Sequence, residues 1–90
     1  MEITVDVPAV LRSKVDGRSS VPASGSSLRE IFDDLAMRYP DFTSSVRPEG
    51  RLAGFVNVYV GATEARINGG LNAPVAAGDH VSVVMAVAGG

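Results

Sequence analysis

Ninety residues, 46% of them hydrophobic and 20% charged, are enough for one small core and too apolar for a disordered chain. A formal charge of −2 gives no electrostatic footing on nucleic acid or an anionic membrane, and no apolar stretch is long enough to span a bilayer. With no cysteine and one histidine, His80, the composition excludes disulfides, thiolate metal sites and a cysteine nucleophile, and it leaves a histidine metal cluster or triad without a second imidazole.

The chain opens Met-Glu-Ile-Thr-Val, with no basic region leading into an apolar run, so no signal peptide is expected. From Glu2 to Val7 apolar and polar residues alternate, placing Ile3, Val5 and Val7 on one face of a half-buried strand that Pro8 ends. Asp16-Gly17 supplies a turn, and a shorter strand around Arg18 to Pro22 is expected to pair back antiparallel. After the break at Ser24-Gly25-Ser26-Ser27, the run Ser27-Leu28-Arg29-Glu30 reads as a capping box. In it the Ser27 hydroxyl accepts from the Glu30 amide and the Glu30 carboxylate reaches back to the Ser27 amide.

Leu28, Ile31, Phe32, Leu35, Ala36 and Tyr39 then fall at helical spacing, with Pro40 expected to close the helix near Arg38 or Tyr39. Asp33, Asp34 and Arg38 lie off the apolar stripe and read as solvated surface, with Asp34 and Arg38 in the favourable i,i+4 order. Residues 41–54 are the least regular part. A short helical turn near Asp41 to Val46 would pack Phe42 and Val46, and Arg47, Glu49 and Arg51 read as a solvated loop in which no motif marks an anion site.

Phe55 to Val60 is the clearest interior strand, with Val56, Val58 and Val60 on one face and Phe55, Asn57 and Tyr59 on the other. Because an amide is expensive to bury without partners, the Asn57 face is expected outward, where two aromatics make a candidate protein contact or, equally, are covered by a loop or the helix. A brief edge strand is expected at Ala65-Arg66-Ile67, and Leu71 and Val75 are expected to turn inward from a loop. Gly78-Asp79 is a tight turn, and His80 to Val87 forms the last strand, with Val81, Val83, Met85 and Val87 inward and Val84 the exposed apolar member of the outer row. His80 falls at a surface position beside the turn and no catalysis is assigned to it.

Ala88-Gly89-Gly90 follows that strand as a short leash ending in a carboxylate. Glycine lacks a Cβ, so Gly89 and Gly90 can thread a narrow channel closed to bulkier residues. From Ala86 to Gly90 the chain extends on the order of 16 Å, at about 3.3 Å per residue, enough to carry the terminus into a partner enzyme. A carboxylate is a poor electrophile until it is converted to an acyl-adenylate, and an unhindered end suits that conversion.

The Gly78-Asp79 turn, the run Val81 to Gly90, the strand Phe55 to Val60 and the helix Leu28 to Tyr39 together resemble the ubiquitin-like sulfur carriers of the ThiS/MoaD family over nearly the whole chain. Within it, the Ala-Val-Ala-Gly-Gly ending is most similar to the cysteine-biosynthetic type; the prolines usual before the tail of the molybdopterin type are missing.

The resemblance implies an α+β fold, a β-grasp whose mixed sheet of four to five strands packs on one main helix. Residues 1–90 would form one carrier domain with 86–90 as an exposed, flexible tail. An E1-like enzyme of the MoeB/ThiF type would adenylate Gly90 with ATP, a sulfur donor would convert it to a thiocarboxylate, and a downstream biosynthetic enzyme would accept the sulfur. Ala88 and Gly89 would be the tail that enters the partner's channel, while Phe55, Tyr59 and Val84 would form the partner-binding surface. Such a protein is a cytoplasmic co-substrate with no catalytic residue, metal or bound cofactor of its own. Two alternatives share the activation step: a molybdopterin-synthase small subunit, and a modifier forming isopeptide bonds through Gly90.

Overall fold

Alternation at the two ends of the sequence builds the centre of the sheet. In the computed structural model, which describes residues 2–85, the first strand, β1 (Glu2–Asp6), lies parallel to the last, β5 (His80–Met85), with Val5 beside Val81. β2 (Ser20–Ser24) pairs antiparallel with the other edge of β1, β3 (Val56–Val60) antiparallel with β5, and the two-residue β4 (Thr63–Glu64) with β3. The strand order is therefore β2-β1-β5-β3-β4, a mixed sheet with β5 bonded on both sides. This is the β-grasp arrangement expected from the sequence.

The period-2 valines all turn to one face. Ile3, Val5, Val21, Ala23, Val56, Val58, Val81 and Val83 are buried there against Leu28, Ile31, Phe32 and Leu35 of α1 (Leu28–Ala36) and Phe42 and Val46 of α2 (Pro40–Val46). Fully burying each such valine, leucine, isoleucine or phenylalanine is worth about 1.5–3 kcal/mol, so the core rather than any staple holds the fold.

Several local details differ from the sequence expectation, each for a physical reason. β2 starts and ends two residues later than expected, because residues 9–15 coil into a 3-10 helix that buries Leu11 and Val15 before the Asp16-Gly17 turn. α1 ends at Ala36, short of the Arg38 or Tyr39 expected, and Pro40 begins a second helix. The proline's missing N–H costs nothing at a first helical position, so it opens α2. The edge strand forms at Thr63–Glu64, and Ala65–Asn68 is instead a 3-10 turn that buries Ala65.

The charged face of α1 is a further difference. Asp34 and Arg38 are paired at 2.7 Å, as their spacing suggested, but they also reach the free edge of β2. Asp34 Oδ2 accepts from the Ser24 amide at 3.0 Å and Arg38 donates to the Pro22 carbonyl at 2.9 Å, which blunts an edge that would otherwise offer unpaired backbone groups to another chain. Arg47 is another. Only 14% of its side chain is exposed; it pairs with Asp33 at 2.7 Å and lies 6.0 Å from the centroid of the Phe32 ring, tying α2 to α1.

The N-terminus of α1 is capped across Ser26 and Ser27. Ser27 Oγ accepts from the Glu30 amide at 3.3 Å, as expected, but Glu30 Oε1 accepts from the Ser26 amide at 2.8 Å and the Ser26 hydroxyl at 3.0 Å, one residue earlier than a capping box requires. Gly25 makes room for this: a Cβ there would stand 2.7 Å from Glu30 Cβ. The two Ser26 hydrogen bonds, the backbone one foremost, hold the Glu30 carboxyl below its ordinary 4.5.

A depressed carboxylate stabilises the fold above its unfolded pKa, and that contribution is lost as pH falls through the lower folded value. Glu30→Gln is therefore expected to reduce stability at neutral pH, with the gap to the parent closing below about pH 4.5. Urea melts of both proteins from pH 7 to pH 3 check this, and a gap that does not change with pH would contradict it.

Candidate functional site

β5 is the strand that hands on to the tail. Among the described residues it pairs with β1 through Ser82 and with β3 through Met85; the expected continuation of the strand to Val87 and the expected tail at 86–90 fall outside them. Ala88, Gly89 and Gly90 lie outside the described residues. The anchoring end, however, is described. Five residues beyond Met85 span at most about 18 Å from a strand bonded into the middle of the sheet.

The outward face of the sheet is polar at one end and apolar at the other. At the start of β5, His80 Nδ1 lies 3.5 Å from Asp6 Oδ2 and Ser82 Oγ donates to the same oxygen at 3.4 Å. This is an exposed polar cluster, and among the described residues no group of three or more His, Asp or Glu side chains is arranged to hold a metal. At the end of β5, Val84 stands opposite Asn57, and Tyr59 stands opposite Ser82 in the same outward row. Val84 is 44% exposed and Phe55, just ahead of β3, is 51% exposed, whereas Tyr59 is half-buried. Two large apolar side chains thus lie in solvent near Met85, the last described residue of β5.

Asn57 explains how an amide sits within this row. Its Oδ1 accepts from Arg66 Nη1 at 3.1 Å, while Arg66 Nη2 donates to the Ala53 carbonyl at 2.6 Å. The guanidinium thereby pins the 65–68 turn against the start of β3. Sequence reasoning assigned Arg66 to an edge strand and gave it no role; a lone arginine nine residues after an asparagine carries no signal that distinguishes this pairing. No helix among the described residues is long and apolar enough to cross a membrane.

Comparison with known proteins agrees with this architecture. The family model described as ThiS family matches residues 5–90. The sulfur carrier protein CysO of Mycobacterium tuberculosis is 39% identical over 93 residues, an alignment covering 100% of both chains. Among solved structures, the Amycolatopsis orientalis BexX/CysO complex contains a chain that superposes with a TM-score of 0.92 at 40% identity, covering 98% of this chain and 99% of that one. The small archaeal modifier protein 1 of Methanosarcina acetivorans superposes with a TM-score of 0.84 at 24% identity, covering 99% and 96%, a likeness of fold alone. With the family model matching almost the whole chain and a full-length relative alongside it, the protein belongs to the ThiS family, as a small carrier rather than a catalyst.

Proposed function

We propose that this protein carries sulfur on its terminal Gly90 for the biosynthesis of cysteine or another sulfur-containing metabolite. The observation that carries the reading is the full-length identity to a protein named sulfur carrier CysO, taken with the Ala-Gly-Gly ending beyond the central strand. An oxygen of the Gly90 carboxylate attacks the α-phosphorus of ATP in an E1-like partner, and pyrophosphate leaves. Sulfide then attacks the acyl carbon, AMP leaves, and the terminus becomes a thiocarboxylate whose sulfur is the nucleophile for a downstream acceptor. ATP belongs to the partner's site, since no glycine-rich phosphate loop precedes a helix in this chain. The glycines keep the path to the acyl carbon clear of side chains, and residues 86–90 act as a leash from the rigid end of β5.

The exposed pair Phe55 and Val84, with Tyr59 beside them, is the surface on which such a partner would rest. The Amycolatopsis relative, solved as a complex with BexX, supports docking of carriers of this kind to partner proteins. Because Val84 is exposed, Val84→Arg is expected to leave the melting temperature unchanged and to raise the carrier concentration needed for half-maximal activation about tenfold or more. An unchanged requirement would remove Val84 from the surface.

Activation itself is tested by ATP–pyrophosphate exchange with a cognate E1-like enzyme. Exchange that depends on this chain is the expected result. An active enzyme showing none would overturn the adenylation step.

A further inference from the structure

A second region of the molecule has a chemistry that the carrier reading does not use. Between the first turn of α1, the 48–52 segment and the turns at 65–72 lies an open cavity of about 250 Å³. Leu52 and Leu71 line it together with three arginines, Arg29, Arg51 and Arg66. The local fold puts them there. Leu28 N–H donates to the Ala73 carbonyl at 3.0 Å and Val75 N–H to the Ser26 carbonyl at 3.0 Å, which draws the 70–75 segment against the start of α1 and brings Arg29 beside it.

Of the arginines outside the cavity, two just past the ends of α1 and α2 are paired with carboxylates, whereas Arg12 donates to the Val7 carbonyl at 3.1 Å. Arg38 and Arg47 each meet a carboxylate at 2.7 Å and are neutralised by it. The three cavity arginines are treated differently. Arg29 is steadied by the neutral Asn72 Oδ1 at 3.4 Å, and Arg66 by the neutral Asn57 Oδ1 and the Ala53 carbonyl. The nearest carboxylate to any of them is Glu64, 3.9 Å from Arg66, and among the described residues neither Arg29 nor Arg51 has one within 4.0 Å. Arg29 and Arg51, neither of them within 4.0 Å of a carboxylate among the described residues, stand with Arg66 around Leu52 and Leu71 in a chain whose overall charge is negative, while the Arg66 guanidinium itself is turned to Asn57 and Ala53.

We propose that this cavity binds a small amphipathic anion, a phosphate monoester or carboxylate on a compact apolar body. The guanidinium fork matches both head groups, and it pairs with them bidentately where lysine would act only as a point charge. Leu52 and Leu71 take the apolar part. Binding here requires neither the tail nor its activation, so its failure would leave the sulfur-carrier reading untouched.

The test is an NMR titration of the full chain with phenyl phosphate, beside inorganic phosphate and benzoate. The expected result with phenyl phosphate is saturable shifts centred on Leu52, Leu71, Arg29 and Arg51, with half-saturation on the order of 1 mM. Inorganic phosphate should bind more weakly, and benzoate separates a carboxylate site from a phosphate site. Saturation by either organic anion supports the proposal. Arg51→Ala is expected to weaken binding roughly tenfold or more, the loss of a charge-assisted bond, while Arg18→Ala, an exposed cation outside the cavity, should not. Arg51 is exposed, so its variant should keep the parent spectrum elsewhere, and Arg51→Lys should recover only part of the affinity. Shifts that grow linearly to on the order of 10 mM with both organic anions, or shifts equally reduced by Arg18→Ala, would overturn the site.

Discussion

Deleting Gly90 is expected to abolish activation while leaving the fold in place. Removing one residue draws the terminal carboxylate back by about 3.3–3.6 Å. Misplacing a reacting group by about 1 Å can already cost on the order of 100-fold, so ATP–pyrophosphate exchange should fall by at least that factor. Adding one residue after Gly90 should do the same, because it covers the carboxylate with a peptide and presents a different end. The sheet has no stake in the change. β5 is bonded to its neighbours through Met85, five residues earlier, so stability should move by less than about 0.5 kcal/mol. Urea melts of the deleted chain check that half of the prediction, and a large loss of stability would show that the tail belongs to the folded body.

The second large effect lies in the core. Phe32 has no exposed surface, packs among the sheet valines and the residues of α1 and α2, and carries Arg47 over its ring. Phe32→Ala removes that packing and takes away the surface on which the Arg47–Asp33 pair is seated. The expected cost is about 3–5 kcal/mol. A chain of ninety residues has on the order of 5–14 kcal/mol in all, so the variant should be near the edge of folding at room temperature. A urea midpoint lowered by less than the equivalent of about 1 kcal/mol would mean that α1 and α2 are not packed as described.

These two positions mark what a sequence can and cannot disclose here. Strict alternation in Ile3-Val5-Val7 and Val81-Val83-Met85 forces a sheet face, and the 28-31-32-35 spacing forces a helix to cover it, so the architecture follows from periodicity. Proline at position 40 was harder to read. The same residue serves as a stop after one helix and a start for the next, and only the burial of Phe42 and Val46 decides which. Arg47 and Arg51 are equally ambiguous, since a loop arginine has one sequence appearance whether it folds onto an aromatic ring, as Arg47 does, or stays exposed at a cavity, as Arg51 does. The cavity itself depends on residues 29, 51 and 66 meeting across three segments, and no local pattern encodes that meeting. On the outward face, Val84 stood out as the apolar member of a polar row, and in the sheet it lies exposed opposite Asn57. The clamp of Asp34 and Arg38 on β2 was invisible beyond their i,i+4 spacing, because which edge is free depends on the whole strand order.

The central claim is that sulfur rides on the terminus of this chain. Its most direct test is the intact mass of the protein after incubation with a cognate E1-like enzyme, ATP and sulfide, beside the Gly90-deleted chain. The expected result is a gain equal to one oxygen exchanged for one sulfur, dependent on ATP and absent from the deleted chain. An adenylate that forms and passes only to lysines of other proteins, or a mass that stays unchanged with an enzyme shown to be active, would contradict it.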